Sequence, residues 1–194
     1  IIKTFIGGML VVPIVIPIQK IGFSLFGVGV LAFIIVSVSE EFFKYFSAHI
    51  TSLRNKANNE PLDPIIYMIT AALGFASIEN TLFLMQEVSF GASFSSLVIT
   101  GNLRFLGATL LHVISSATVG LFMSISFYKS ETRKRFFIFL GIILAIVLNT
   151  IFNLILINIV DTNIFVIFTF VWISVIILLL MFEKIKTIRP SSKR

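Results

Sequence analysis

The sequence predicts an all-α protein, a polytopic transmembrane bundle of about six helices. Hydrophobic residues make up 57% of the chain and charged residues 12%, with a mean hydropathy of +1.06. A soluble domain carries about twice that charged fraction. The apolar residues also fall in long runs, each long enough to cross a bilayer as a helix. A membrane barrel would show short alternating segments instead.

The first helix is expected over residues 5–18. Pro13 and Pro17 lie inside it, so it should be kinked, truncated or partly re-entrant. The second is expected over 21–49, followed by a polar loop from Arg54 to Pro61. The third covers 64–88, with Pro64 near its start, where a missing N–H does no harm. Residues 89–100 are small and polar enough for a loop or an interfacial segment. The fourth helix covers 103–127, and the charged cluster 129–135 reads as a loop. The fifth covers 136–159, with a short turn at Asp161-Thr162-Asn163. The sixth covers 164–182, with a basic tail after it. One integral membrane domain accounts for residues 1–194, with no internal repeat. The first residue is Ile rather than Met, so residues are expected upstream.

The chain has no cysteine, which excludes disulfides, thiolate ligands and a thiol nucleophile. Any metal must be held by His, Asp or Glu. The formal net charge of +6 does not point to nucleic acid, because the basic residues cluster at helix ends. There they orient the protein. Lys129 with Arg133 to Arg135, the tail with Lys184, Lys186, Arg189, Lys193 and Arg194, and the Arg54/Lys56 loop should all face the cytoplasm. Even numbers of crossings separate the three segments, so the assignments agree.

Glu40 and Glu41 lie side by side within an apolar stretch. An ionised carboxylate at the bilayer centre costs on the order of 3 kcal/mol on insertion scales. Retaining two points to proton chemistry, ion handling or metal binding. At a rise of about 1.5 Å per residue, the pair lies roughly 15 Å from the cytoplasmic end of its helix. Glu79, His112 and Asn149 lie roughly 20–24 Å from theirs. Four helices thus bring polar groups to one layer, the pattern of a buried functional site. Lys44 is three or four residues from either carboxylate and within reach of both. Adjacent carboxylates coupled in this way titrate in separate steps. Asn149 and Asn153 share a face, and so do Arg104 and His112. Gly107, Ala108, Ser115, Ser116 and Gly120 keep that helix thin.

Structural readings exist for each residue. Lys44 can snorkel or simply neutralise Glu40. Arg104 can anchor at the interface, and the two asparagines can join helices. His49 lies near the cytoplasmic interface and reads as structural, and the abundant phenylalanines read as packing.

The segment Ser39-Glu40-Glu41-Phe42-Phe43-Lys44 resembles the E-E-x-x-K motif of the PrsW family of intramembrane proteases. Phe75-Ala76-Ser77-Ile78-Glu79-Asn80 resembles its F-x-x-x-E-N motif. Arg104 and His112, seven residues between them, are similar to its R-x7-H segment. The three motifs fall in order on successive helices. One position departs: the family has H-x-x-x-N on the next helix, and here Asn149 stands in place of the His, with Asn153 present. The wider group includes non-catalytic members, so the fold alone does not guarantee catalysis. The resemblance implies peptide hydrolysis inside or next to the membrane, on a single-pass membrane substrate such as an anti-sigma factor.

Hydrolysis needs an activated water, an oxyanion stabiliser and an acid for the leaving amine. Glu40 or Glu41 is expected as base, with Glu79 sharing the water or proton. His112 would donate to the oxyanion or the amine, and Asn153 with Asn149 would orient the carbonyl. Lys44, Asn80 and Arg104 would support them. In a metal version, Glu41, Glu79 and His112 would hold a divalent ion such as zinc. The metal-free glutamate version fits the ligand count better. A proton- or cation-coupled transporter and a non-catalytic membrane scaffold are the alternatives from other classes. The oligomeric state is not legible.

Overall fold

The computed structural model describes residues 1–157 and 164–189, with α1 (Ile2–Phe26), α2 (Val30–Ala48), α3 (Asp63–Ser89), α4 (Phe94–Arg104), α5 (Leu110–Ile125), α6 (Glu131–Ile157) and α7 (Ile164–Ile185). A π-helical turn, His49–Leu53, extends α2, and another, Phe105–Thr109, joins α4 to α5. The described residues therefore form six continuous rods, with no strand among them. The predicted helical class is the observed one. α1, α3, the α4–α5 rod and α6 are long and apolar enough to cross a membrane.

Several boundaries differ from the sequence expectation. The first helix does not stop at residue 18, and the second does not begin at 21. α1 runs through both prolines to Phe26, and Gly27 ends it with a left-handed φ of 64°. The Gly27 N–H closes the last turn on the Phe23 carbonyl at 2.9 Å. Only glycine adopts that conformation without strain, so the break falls at Gly27 rather than at the prolines. The segment expected as a loop or an interfacial segment at 89–100 is helical from Phe94, with the Ser93 hydroxyl accepting from the Ser96 N–H as an N-cap. Glu131 to Arg135 belong to the first turns of α6, not to a loop. The turn expected at Asp161-Thr162-Asn163 lies outside the described residues.

α2 packs against α1, α3, α5 and α6, so its polar residues face protein rather than lipid. The α1–α3 crossing is close because both helices present glycine. A Cβ on Gly8 would collide with the Ala71 carbonyl, and one on Gly74 with the Phe5 carbonyl. Gly120 of α5 lies likewise against the Pro64–Ile65 backbone of α3. Small residues at crossings are the usual means of packing helices where lipid is as apolar as the side chains. Thr4 and Ser52, both buried, share a hydrogen bond of 2.5 Å that ties α1 to the π-helical turn. One apolar cluster (Ala48, Leu53, Tyr67, Met68, Ala71, Val119, Ala145) fills the end of the bundle nearest the 54–62 loop. Leu111, Ile114, Phe152 and Val171 form another, and Val11, Val12, Val15 and Phe75 a third. The polar layer lies among these clusters.

Candidate active site

Helical spacing sets the first pair. Glu41 and Lys44 are one turn apart on α2, and Lys44 Nζ lies 2.5 Å from Glu41 Oε1 with both side chains fully buried. The other donors to Glu41 come from α5 and α6. Ser115 Oγ donates to Glu41 Oε1 at 2.7 Å, Ser116 Oγ donates to Oε2 at 3.2 Å, and Asn149 Nδ2 donates to Oε1 at 3.0 Å. A buried carboxylate with this many donors, one of them an ammonium, is fully compensated.

Glu40 is held more sparsely. Gln19 Nε2 of α1 donates to its Oε1 at 2.8 Å, and Asn149 Nδ2 donates to its Oε2 at 2.9 Å. Both donors are neutral amides. His112 Nδ1 lies 3.7 Å from Glu40 Oε2, beyond direct hydrogen bonding.

The surroundings of His112 set its tautomer. Nδ1 lies 3.3 Å from Lys44 Nζ, and Nε2 lies 2.8 Å from Glu79 Oε2. An ammonium only donates, so Nδ1 accepts and the Nε2 hydrogen points to Glu79. The Phe75 ring closes the floor, with its centroid 5.3 Å from the His112 ring and 5.3 Å from Lys44 Nζ.

Glu79 forms the more open side, its side chain 27% exposed. Arg104 Nη2 lies 3.5 Å from Glu79 Oε2, and Arg104 Nε donates to Asn80 Oδ1 at 2.9 Å. Asn80 Nδ2 in turn donates to Thr109 Oγ1 at 2.8 Å. The Arg104 guanidinium also lies over the Phe83 ring, 4.1 Å from its centroid. The π-helical turn falls between Arg104 and His112, and both reach Glu79 across it. Such turns recur at functional sites because they re-aim side chains within a helix.

Each residue that the sequence analysis singled out for the site therefore joins one polar network, with Asn153 attached through a 2.9 Å bond from its Nδ2 to Asn149 Oδ1. His49 stays apart, against Tyr45. Gln19, Ser115, Ser116 and Thr109 also belong to the network, without a site role expected from the sequence.

For a metal, the ligand atoms that converge are those of Glu40, Glu41 and His112, all within 4.8 Å of one another. Glu79 faces the opposite ring nitrogen from Glu40 and Lys44. Two carboxylates and an imidazole are a chemically suitable donor set for a divalent ion. Their lone pairs, however, are already directed at Lys44 and Asn149, and as arranged the residues do not fit one.

A family model described as PrsW family intramembrane metalloprotease matches residues 1–181. Among curated proteins, the chain is 28% identical to "Protease PrsW" of Clostridioides difficile over 127 residues, 65% of this chain and 51% of that one. It is 30% identical to "Protease PrsW" of Halalkalibacterium halodurans over 128 residues, 64% of this chain and 54% of that one. It is also 30% identical to "Protease PrsW" of Oceanobacillus iheyensis, over 80% of this chain and 69% of that one. The chain thus spans about half to two thirds of the length of these relatives. No solved structure gives a significant match.

Proposed function

Because the chain belongs to the PrsW family, we propose that it is an intramembrane endopeptidase, which hydrolyses a peptide bond in or near the transmembrane part of a membrane protein with a glutamate-activated water. The single observation that carries this reading is the unequal setting of the two adjacent carboxylates. Glu41 is bonded to an ammonium, two hydroxyls and an amide. Glu40 is bonded only to amides and faces the accepting nitrogen of His112.

Glu41 is then the fixed anion that keeps Lys44 in place, and Glu40 is the base. A water about 2.8 Å from Glu40 Oε2 would be oriented by that carboxylate, beside the His112 ring. Glu40 takes its proton as oxygen attacks the carbonyl carbon, and the carbonyl π bond opens to an oxyanion. When the C–N bond breaks, that proton passes to the leaving amine. Glu79 holds the His112 ring in one tautomer, as a carboxylate behind an imidazole commonly does. Both Asn149 hydrogens are engaged by the carboxylates, so Asn149 positions them, and Asn153 offers its second N–H to the oxyanion. Lys44, Asn80 and Arg104 hold the network together. No step is routed through a metal.

The substrate class follows the resemblance, a single-pass membrane protein of the anti-sigma-factor kind, and the basic segments face the cytoplasm by the positive-inside rule. The test is cleavage of a panel of single-pass substrates co-expressed with the chain. A product that disappears with Glu40→Gln and with His112→Ala at unchanged protein level supports the reading. A product that persists in both removes the assigned site. A folded wild type that cuts nothing in the panel favours a non-catalytic scaffold.

A further inference from the structure

We propose that the Lys44 ammonium is a built-in cation standing where a metal would bind, so that this chain carries a latent divalent-metal site which Lys44 keeps closed. The inference deepens the glutamate reading and rests on it for the role of the site, while its test does not require cleavage.

Occupancy is the first argument. Of the three side chains among the described residues that converge as metal ligands, Glu41 offers Oε1 and His112 offers Nδ1, and Lys44 Nζ lies 2.5 Å from the former and 3.3 Å from the latter. An ion ligated by both atoms would overlap the ammonium. Lys44 has no surface to retreat to, because its side chain is fully buried and packed on Phe75.

Donor direction is the second argument, and it describes the site with Lys44 in place. Asn149 turns its NH2 group, not its carbonyl, toward the cluster, and the two N–H bonds take Glu40 Oε2 and Glu41 Oε1. Its carbonyl is engaged by Asn153. A side chain arranged to ligate a cation presents a lone pair, and this one presents hydrogens.

Charge balance is the third. Three carboxylates (Glu40, Glu41, Glu79) meet two basic side chains (Lys44, Arg104), an excess of one negative charge when each carries its ordinary charge. A divalent ion added to this set would reverse the excess to one positive charge in a medium of low dielectric. With Lys44 made neutral, the same ion would balance the cluster. Lys44 and a divalent ion are therefore alternatives.

The full chain is purified in detergent with zinc or cobalt supplied, excess ion is removed, and bound metal is measured per chain. The expected result is no stoichiometric ion in the wild type and a single equivalent in Lys44→Ala. In that variant cobalt should show the visible absorption of a low-coordinate site, and both signals should vanish when His112→Ala is added. Zinc should also raise the thermal midpoint of Lys44→Ala and leave that of the wild type unchanged. Lys44→Met, which keeps the stem volume, serves if the alanine variant does not fold. A wild type that holds one equivalent, lost with His112→Ala, overturns the proposal. So does the absence of metal from every folded neutral variant at position 44. A wild type with no cleavage activity bears on the protease reading and leaves the metal measurement standing.

Discussion

Gln19 Nε2 donates to Glu40 Oε1 across the α1–α2 interface at 2.8 Å. α1 carries none of the motif residues, and Gln19 links it by a hydrogen bond to a carboxylate of the site. The remaining oxygen of Glu40 faces Asn149 and His112. Gln19 thus fixes the plane of the carboxylate and leaves the other edge for chemistry.

Replacing Gln19 by Met, of similar length and without a donor, should lower kcat while KM changes little. A hydrogen bond to a charged group is worth about 1.5–3 kcal/mol, so the fall should be roughly tenfold or more. Single-turnover cleavage of a fixed substrate measures it. Equal kcat in Gln19→Met and wild type would show that Glu40 is oriented without α1.

The carboxylates, the imidazole and the spacing of Glu41 and Lys44 were legible because an ionisable group in an apolar helix has few explanations other than a partner. Gln19 was not legible, because with Lys20 it sits just where the prolines suggest a helix end. A polar pair at a boundary carries no signal, and the true boundary is set by the φ of Gly27, several residues on. Ser115 and Ser116 were visible only as small residues. A hydroxyl serves close packing and donation equally, and only the position of Glu41 on the neighbouring helix decides between them. The start of α4 was hidden by small polar residues that form a helix all the same, with Ser93 as its cap.

Asn149 bridges Glu40 and Glu41 with both hydrogens of one amide, which makes the departure from the His of the family motif interpretable. Asn149→Leu leaves two buried carboxylate oxygens without that donor and should lower stability by about 1–3 kcal/mol, with loss of cleavage. Asn149→His restores the motif but offers fewer hydrogens to the pair, and it should be less stable than wild type and more stable than Asn149→Leu. Thermal unfolding in detergent orders the three. A leucine variant as stable as wild type would mean that the bridge contributes nothing.

The α1–α3 crossing sets the distance between Gln19 and the rest of the site. Gly74→Leu places side-chain atoms in the Phe5 carbonyl, a backbone position that cannot yield. Overpacking of this kind costs about 1–3 kcal/mol. The variant should lose thermal stability and, where it still folds, show the kcat defect of Gln19→Met, because α1 has moved away. Gly101→Ala is the control, since a Cβ there meets only Leu84 methyl carbons at ordinary contact distance. Similar losses in both variants would separate the crossing from the site.

Glu40 and Glu41 are neighbours in sequence with opposite expected responses to the same change. Glu41→Gln leaves the buried ammonium of Lys44 without its anion and turns an amide hydrogen toward donors already present. Breaking a buried pair by removal of one partner costs about 3–5 kcal/mol, so this variant should be strongly destabilised. Glu40→Gln removes a carboxylate held only by amides and relieves repulsion from Glu41 and Glu79, so its thermal midpoint should stay the same or rise. Its cleavage rate should nonetheless fall by about 10²–10⁴, the usual contribution of a general base. Measured together, stability and rate separate the base from the anchor. A Glu41→Gln protein that is fully stable yet inactive, beside a Glu40→Gln protein that still cuts, would reverse the two roles.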